Sequence, residues 1–289
     1  MRFIIIPLFF LFSLNAFGQN DTAKTGEFKI ILLPPNIKNY GKMFLHWGYN
    51  RAWYSKSDIH FKGNNYDFTL IDAVAKDRPT TFNWERYFAP QNLTIPQTNL
   101  KIGYFITNKW SLSFGVDHMK YVLDMLRNTK ITGNINNNSP YDGNYNNDEV
   151  YLDTNFIYYE HTDGLNYVNL EGDYFVPLGS WKNKVILQTN LGGGAGFLLP
   201  KTRAVLFERS YRDNFNIAGY GFNGKIGLDL RFWDFFFIHT DLKGGFINMP
   251  NVRITNDPNE GAKQHFWFTE FDWLIGFNFN LKKNNEPSK

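Results

Sequence analysis

The stretch TEFDWLIGFNFNL, residues 269–281, constrains the fold of this chain more than any other. Phe271, Trp273, Ile275, Phe277, Phe279 and Leu281 fall on one parity, while Glu270, Asp272, Asn278 and Asn280 fall on the other. Successive side chains of an extended strand point to opposite faces, so this segment is a strand with one apolar face and one carrying carboxylates and amides. Which face lies inside decides what the chain is.

Seven earlier segments alternate in the same way: MFLHWGYNRAWY (43–54), NLKIGYFI (99–106), WSLSFGVDHMKYV (110–122), LNYVNLEGDYFVPL (165–178), VILQTNLGGGAGFLL (185–199), YGFNGKIGLDLRF (220–232) and FFFIHTDLKGGFI (235–247). The eighth runs from His265 to Leu281. Connections at Thr107-Asn108-Lys109, at GSWKNK and at Trp233-Asp234 are short, and the four between them are long and polar. Short turns on one side and long loops on the other are the pattern of an outer-membrane barrel. The fold class expected is all-β: an eight-stranded antiparallel up-and-down transmembrane β-barrel with long extracellular loops. An even strand count predicts that both termini are periplasmic.

The size of the side chains settles the orientation. Aromatic residues make up 18% of the chain, with 29 Phe, 16 Tyr and 8 Trp, and they dominate one face of nearly every segment. Eight strands enclose a space just wide enough to be filled by side chains. Turned inward, as in a soluble lipocalin-like barrel, the aromatics would overfill it; turned outward they meet lipid. Trp110, Trp181, Trp233 and Phe235, beside the short turns, then belong to an interfacial girdle.

The opposite face collects a set of charges expected in the lumen: Lys101, Asp117, Glu171, Asp173, Lys225, Asp229, Arg231, His239, Asp241, Lys243, Glu270 and Asp272, with His46 able to contribute. Buried acids of this kind need cationic or hydrogen-bonding partners. The reading is a paired network that plugs the barrel and argues against a general porin.

The N-terminus sets the compartment. Met1-Arg2, an apolar run of about a dozen residues and Ala16-Phe17-Gly18 form a secretory signal peptide over 1–18. Residues 19–42 are a periplasmic lead-in, 43–281 the barrel and 282–289 a short polar tail. The absence of cysteine excludes a lipoprotein anchor, disulfides and thiolate metal sites. A net charge of +3 gives no electrostatic footprint for nucleic acid.

With these features on the page, the chain resembles the small OmpA/OmpX-type outer-membrane barrels. The resemblance covers residues 43–281 by pattern, and NRAWYSKSDIHFKGNNYDFTL and GVDHMKY are similar to stretches of Bacteroidota outer-membrane proteins whose function is unassigned. It implies that the aromatic last strand is read by the barrel-assembly machinery, although KKNNEPSK follows it here.

Chemistry beyond this is thin. NLGGGAGF lacks the Gly-Lys-Ser/Thr ending of a phosphate loop, and its glycines suit a strand that bends and admits bulky neighbours. Asp142, Asn144, Asp148 and Glu149, with Asp153, form a weak calcium candidate without EF-hand spacing. His118 and His265 are expected to face outward near the extracellular rim, without a serine on that face, since Ser111 and Ser113 point inward.

The reading is therefore a non-enzymatic barrel that presents its loops for interaction or serves as a subunit of an outer-membrane assembly. Its expected partners are outer-membrane lipid, lipopolysaccharide and a protein bound through the loops. No cofactor is expected. A lipid A-modifying enzyme and a narrow channel or small-ligand conduit are the alternatives.

Overall fold

The computed structural model describes residues 37–280 except 82, 89–95 and 182–183. The signal peptide, most of the lead-in and the C-terminal tail lie outside the described residues. In chain order the strands are β1 (Lys42–Tyr54), β2 (Ser57–Gly63), β3 (Tyr66–Ala73), β4 (Ala75–Lys76), β5 (Thr98–Phe105), β6 (Trp110–Leu123), β7 (Arg127–Ile135), β8 (Gly143–Leu152), β9 (Ile157–Trp181), β10 (Val185–Pro200), β11 (Arg203–Leu206), β12 (Arg209–Arg212), β13 (Gly219–Phe232), β14 (Phe236–Arg253) and β15 (Gly261–Asn280). A single helical turn, α1 (Trp84–Phe88), precedes β5.

Eight of these strands form a ring in the order β1-β5-β6-β9-β10-β13-β14-β15, with β15 returning to β1. The closing pair is antiparallel from Lys42↔Asn280 to Tyr54↔Phe268. Closure pairs the backbone groups that an open sheet would leave bare in lipid. Each ring strand corresponds to one of the eight alternating segments. At the β13–β14 turn, Trp233 (φ 50°) and Asp234 (φ 62°) both adopt the left-handed conformation, and the Phe235 amide donates to the Phe232 carbonyl at 3.1 Å. Positive φ at both central positions is the type I′ geometry that matches strand twist.

Alternation drives the side chains as expected. Trp110, Leu112 and Phe114 of β6 and Ile226 and Leu228 of β13 are exposed on the outer wall, whereas Asp117, Lys225 and Asp229 are buried. Along β13 the outward row from Phe232 to Tyr220 rises about 30 Å once strand tilt is allowed for, close to the apolar band of a membrane barrel. Trp110, Trp181, Trp233 and Phe235 are exposed at its lower edge, and Trp53, Tyr220 and Trp267 are exposed toward its upper edge.

The long connections differ from the expectation of loops. Strand β9 begins at Ile157 rather than 165, β14 continues to Arg253, and β15 starts at Gly261, so the wall rises well beyond the apolar band. Asn64-Asn65 joins β2 to β3 in a hairpin. The Asn-, Gly- and Tyr-rich stretch is a second hairpin, β7–β8, paired to β3, and this sheet is attached to the wall through β15–β2. Ile59 and Phe61 on β2 and Phe68 and Leu70 on β3 share one face, and they join Ile131, Phe156 and Phe266 in an apolar core that caps the barrel. Phe61 stacks on Phe68 with centroids 5.2 Å apart, and Phe68 meets Phe156 at 5.8 Å.

Phe68→Ala leaves a cavity in this core and is expected to destabilise the cap by about 3–5 kcal/mol. Limited proteolysis should then cut within residues 57–73 and 127–152 while the ring stays folded. Uniform resistance would mean that the cap does not depend on this core.

Candidate functional site

The lumen is built in three layers. At the end of the short turns Phe44, Phe105, Phe175 and Phe237 form a buried cluster, with centroids 5.4 Å apart for Phe44–Phe105 and 5.3 Å for Phe105–Phe175. These phenylalanines occupy the polar parity of their strands, so not every inward side chain is small or charged. The Arg231 guanidinium lies 5.8 Å above the Phe105 ring and donates to Asn39 Oδ1 at 2.6 Å. Lys42 pairs with Asp234 beside it.

The charged layer comes next, and the twelve residues singled out in the sequence all join one chain of contacts. Lys243, on β14, is its centre: its ammonium lies 2.6 Å from Asp117, 3.2 Å from Glu171, 3.7 Å from Glu270 and 3.9 Å from Asp272. Lys101 on β5 bridges Glu171 at 2.7 Å and Asp117 at 3.3 Å. Lys225 on β13 reaches Glu171 at 2.8 Å, Asp173 at 3.1 Å and Asp241 at 3.4 Å. His239 Nε2 lies 3.0 Å from Asp241 and its Nδ1 3.7 Å from Asp229. Asp229 is 3.9 Å from Arg231 Nε, which links the chain to the phenylalanine layer.

Amides that sequence reasoning passed over complete this layer. Asn99 donates to Glu270 at 3.0 Å, Asn169 to Asp117 at 2.8 Å, Gln188 to Asp229 at 2.6 Å, and Asn223 to Glu171 at 3.1 Å. Asn190 donates to both Asp173 and Asp241 at 3.2 Å. Glycine makes the crowding possible: a Cβ on Gly192 would stand 2.1 Å from Asp173 Oδ1, and one on Gly227 2.2 Å from Asp241 Oδ1. The third layer is the cap core, which reaches into the upper lumen through Tyr167 and Phe268. Between the Phe cluster and the charged layer lies a cavity of about 20 Å³, lined by His46, Asp229 and His239 among others, with room for about one water.

The remaining sequence candidates stand apart. Asp142 accepts hydrogen bonds from the amides of Asn137, Asn138 and Ser139, which hold its carboxyl below the usual range. Asn144 accepts from Asn134, Asp148 from the Asn146 amide, and Glu149 from Asn128. Among the described residues no group of three or more potential ligands converges on a metal position. His118 Nδ1 lies 2.7 Å from Asn166 Oδ1 on the outer wall, His265 is exposed on β15, and Ser111 and Ser113 are buried inside.

A closed antiparallel ring, an outward apolar belt edged by aromatics and a filled polar lumen define a small integral β-barrel of the outer-membrane type. No family model matches the chain, and a search of curated proteins finds no match. Among solved structures it is similar to the outer-membrane protein OprG of Pseudomonas aeruginosa, at 12% identity and a TM-score of 0.38, over 84% of this chain and 98% of that one. It is also similar to the outer-membrane protein AlkL in lipid bilayers, at 12% identity and a TM-score of 0.37, over 93% and 100%. A third is neisserial surface protein A, at 8% identity and a TM-score of 0.34, over 83% and 99%. Similarity at this level says nothing about activity.

Removing one partner of a buried ion pair leaves the other charge uncompensated, at about 3–5 kcal/mol. Lys243→Met is therefore expected to lower the thermal unfolding midpoint sharply, and adding Asp117→Asn to recover part of the loss. A double variant less stable than the single one would refute the central role of this lysine.

Proposed function

We propose that this protein is a non-conducting outer-membrane barrel whose working surface is its folded extracellular cap, through which it binds a protein partner or takes its place in an outer-membrane assembly. The observation that carries this reading is the distribution of structure. The lumen is filled by a Phe cluster, an ion-pair network and an apolar core, while the chain between the ring strands is spent on hairpins above the wall.

The cap offers a surface suited to contact. Among the described residues strand β8 hydrogen-bonds only to β7, which leaves its other edge open there, and Tyr151 on it is half exposed. Tyrosine and asparagine provide contact area and adaptable hydrogen bonding, and an open edge is where an extended segment can add a strand. In this reading both termini face the periplasm, the twelve lumen charges are structural, and the aromatic last strand serves recognition by the assembly machinery.

Two measurements test it. In planar bilayers the purified protein should show no stepwise conductance, and Phe44→Ala with Phe105→Ala should remain silent because the charged layer persists. Stable channel openings in the wild type would overturn the closed lumen and favour the conduit reading. Purification from native membranes should recover a near-stoichiometric protein that Tyr151→Lys combined with Glu149→Arg releases without unfolding the barrel. A barrel recovered alone, with these substitutions changing nothing, would remove the cap as a partner surface.

A further inference from the structure

On the outer wall, where the apolar belt ends, a polar cleft of about 740 Å³ opens between three parts of the chain. Its floor is the continuation of β6 and β9: the outward row Trp110, Leu112, Phe114 and Val116 leads directly to His118 and, two residues on, Lys120. One side is the segment Arg78–Thr81, and the other is formed by Lys201, Arg203 on β11 and Arg212 on β12. Among the described residues five basic side chains thus face two acidic ones, Glu160 and Asp163, an excess of positive charge as large as the net +3 of the whole chain.

The three arginines are positioned but keep donors in reserve. Arg78 Nη1 lies 2.9 Å from Glu160 and 3.2 Å from the Tyr158 hydroxyl, and Arg203 Nη1 is 3.7 Å from Glu160. Arg212 pairs with Asp163, which Lys201 approaches at 3.6 Å. Burial would raise the Asp163 carboxyl, but Arg212 and Lys201 hold it below the usual range, so it remains an anion that anchors both. The side chains of Arg78, Arg203 and Arg212 are still 61%, 52% and 61% exposed. A guanidinium carries five N–H donors, of which these contacts use one or two. Lys120 is buried along its stem and donates to Thr80 Oγ1 at 2.9 Å, which ties the Arg78–Thr81 side to the floor.

We infer that this cleft binds the phosphate of a phosphorylated glycolipid of the surrounding outer leaflet, with Arg78, Arg203 and Arg212 as its ligands. Three features support that class of ligand. Fork-shaped arginines match phosphate oxygens bidentately. The cleft lies on the outer face of the wall just above the apolar belt, not over the lumen, so its occupant reaches it from the side. Its floor is continuous with the outward row on β6: Arg203 lies beside Glu160 and Val122, eight residues above Phe114, so a glycolipid with its phosphate at the arginines, its sugar over His118 and Lys120 and its acyl chains running down toward Phe114 satisfies both at once. A soluble phosphate compound shares the head-group chemistry but makes no use of that row. The inference rests on the outer-membrane reading and adds a residue-level lipid site to it.

The test uses the full-length protein in detergent micelles and in phospholipid nanodiscs, with native mass spectrometry as the readout. Bis-phosphorylated lipid A, its dephosphorylated form and inorganic phosphate are the three probes. Lipid A is expected to remain bound and the dephosphorylated form to be lost. Arg203→Glu with Arg212→Glu should weaken lipid A binding by about tenfold or more, the loss of at least one charge-assisted hydrogen bond. Asp163→Asn, which removes a competing anion, should strengthen it, an effect that a merely structural role would not produce. Lys263→Glu, on the outer face of β15 away from the cleft, should leave it unchanged.

Wild-type affinity in the double arginine variant, or equal loss with Lys263→Glu, would overturn the site. Inorganic phosphate that binds as tightly as lipid A, with the acyl chains adding nothing, would overturn the lipid as its source. A protein that enters nanodiscs and retains no lipid A refutes this inference alone, whereas one that cannot enter a bilayer refutes the reading beneath it.

Discussion

Lysines 101, 225 and 243 come from three strands of the ring and are each shared among carboxylates contributed by others. None of these groups can be read alone, because each acid is held by a cation from elsewhere on the circumference. The network therefore measures register as well as charge. A slip of one residue in β14 would carry Lys243, His239 and Asp241 from the lumen to lipid and bring Leu242 and Thr240 inward. The outward belt enforces the same choice from the other side, since a slipped strand would expose neither a clean apolar row nor a paired polar one. The strand pairings, the ion pairs and the lipid-facing surface are one solution to a single constraint.

The interior then divides by height. Phenylalanines close the short-turn end, ions fill the middle, and the cap core closes the top, so the filling changes chemistry twice along the axis. The outside divides by height too, from a tryptophan-rich lower rim through aliphatic and aromatic residues to the basic cleft. The cap and the cleft are separate surfaces that face different surroundings. One looks away from the membrane and the other along it, and an occupant of either leaves the other free.

Alternation made the ring legible because it is a local property: Glu270 and Asp272 could be assigned to the lumen from their neighbours alone. The same rule hid the Phe cluster. Phe44 shares its parity with His46, and Phe237 with His239, so the signal was present as bulky residues on the polar face beside each short turn. The linking amides, such as Asn99 and Asn169, were invisible for another reason: an amide on a polar face looks the same whether it bridges carboxylates or meets water. Hairpin β7–β8 was missed because most of β8 is open to solvent on both faces, which leaves no alternation to detect. The basic cleft is assembled from Arg78, Lys120, Arg203 and Arg212, residues brought together only by the fold, and no spacing in the chain announces it.

The closure of β15 on β1 has a consequence for the birth of the molecule. It joins Lys42 to Asn280, nearly the ends of the described chain, and such distant pairings form late and slowly. Until then the nascent sheet is two-faced, one side suited to lipid and the other presenting lysines and carboxylates to water, with no cap above them. Glu270 and Asp272 arrive on the final strand, so the lumen can lose its water only when the seam shuts. Dehydration of the interior and sealing of the wall are the same event, and a chain truncated before that strand would remain an unsealed amphipathic sheet at the membrane surface.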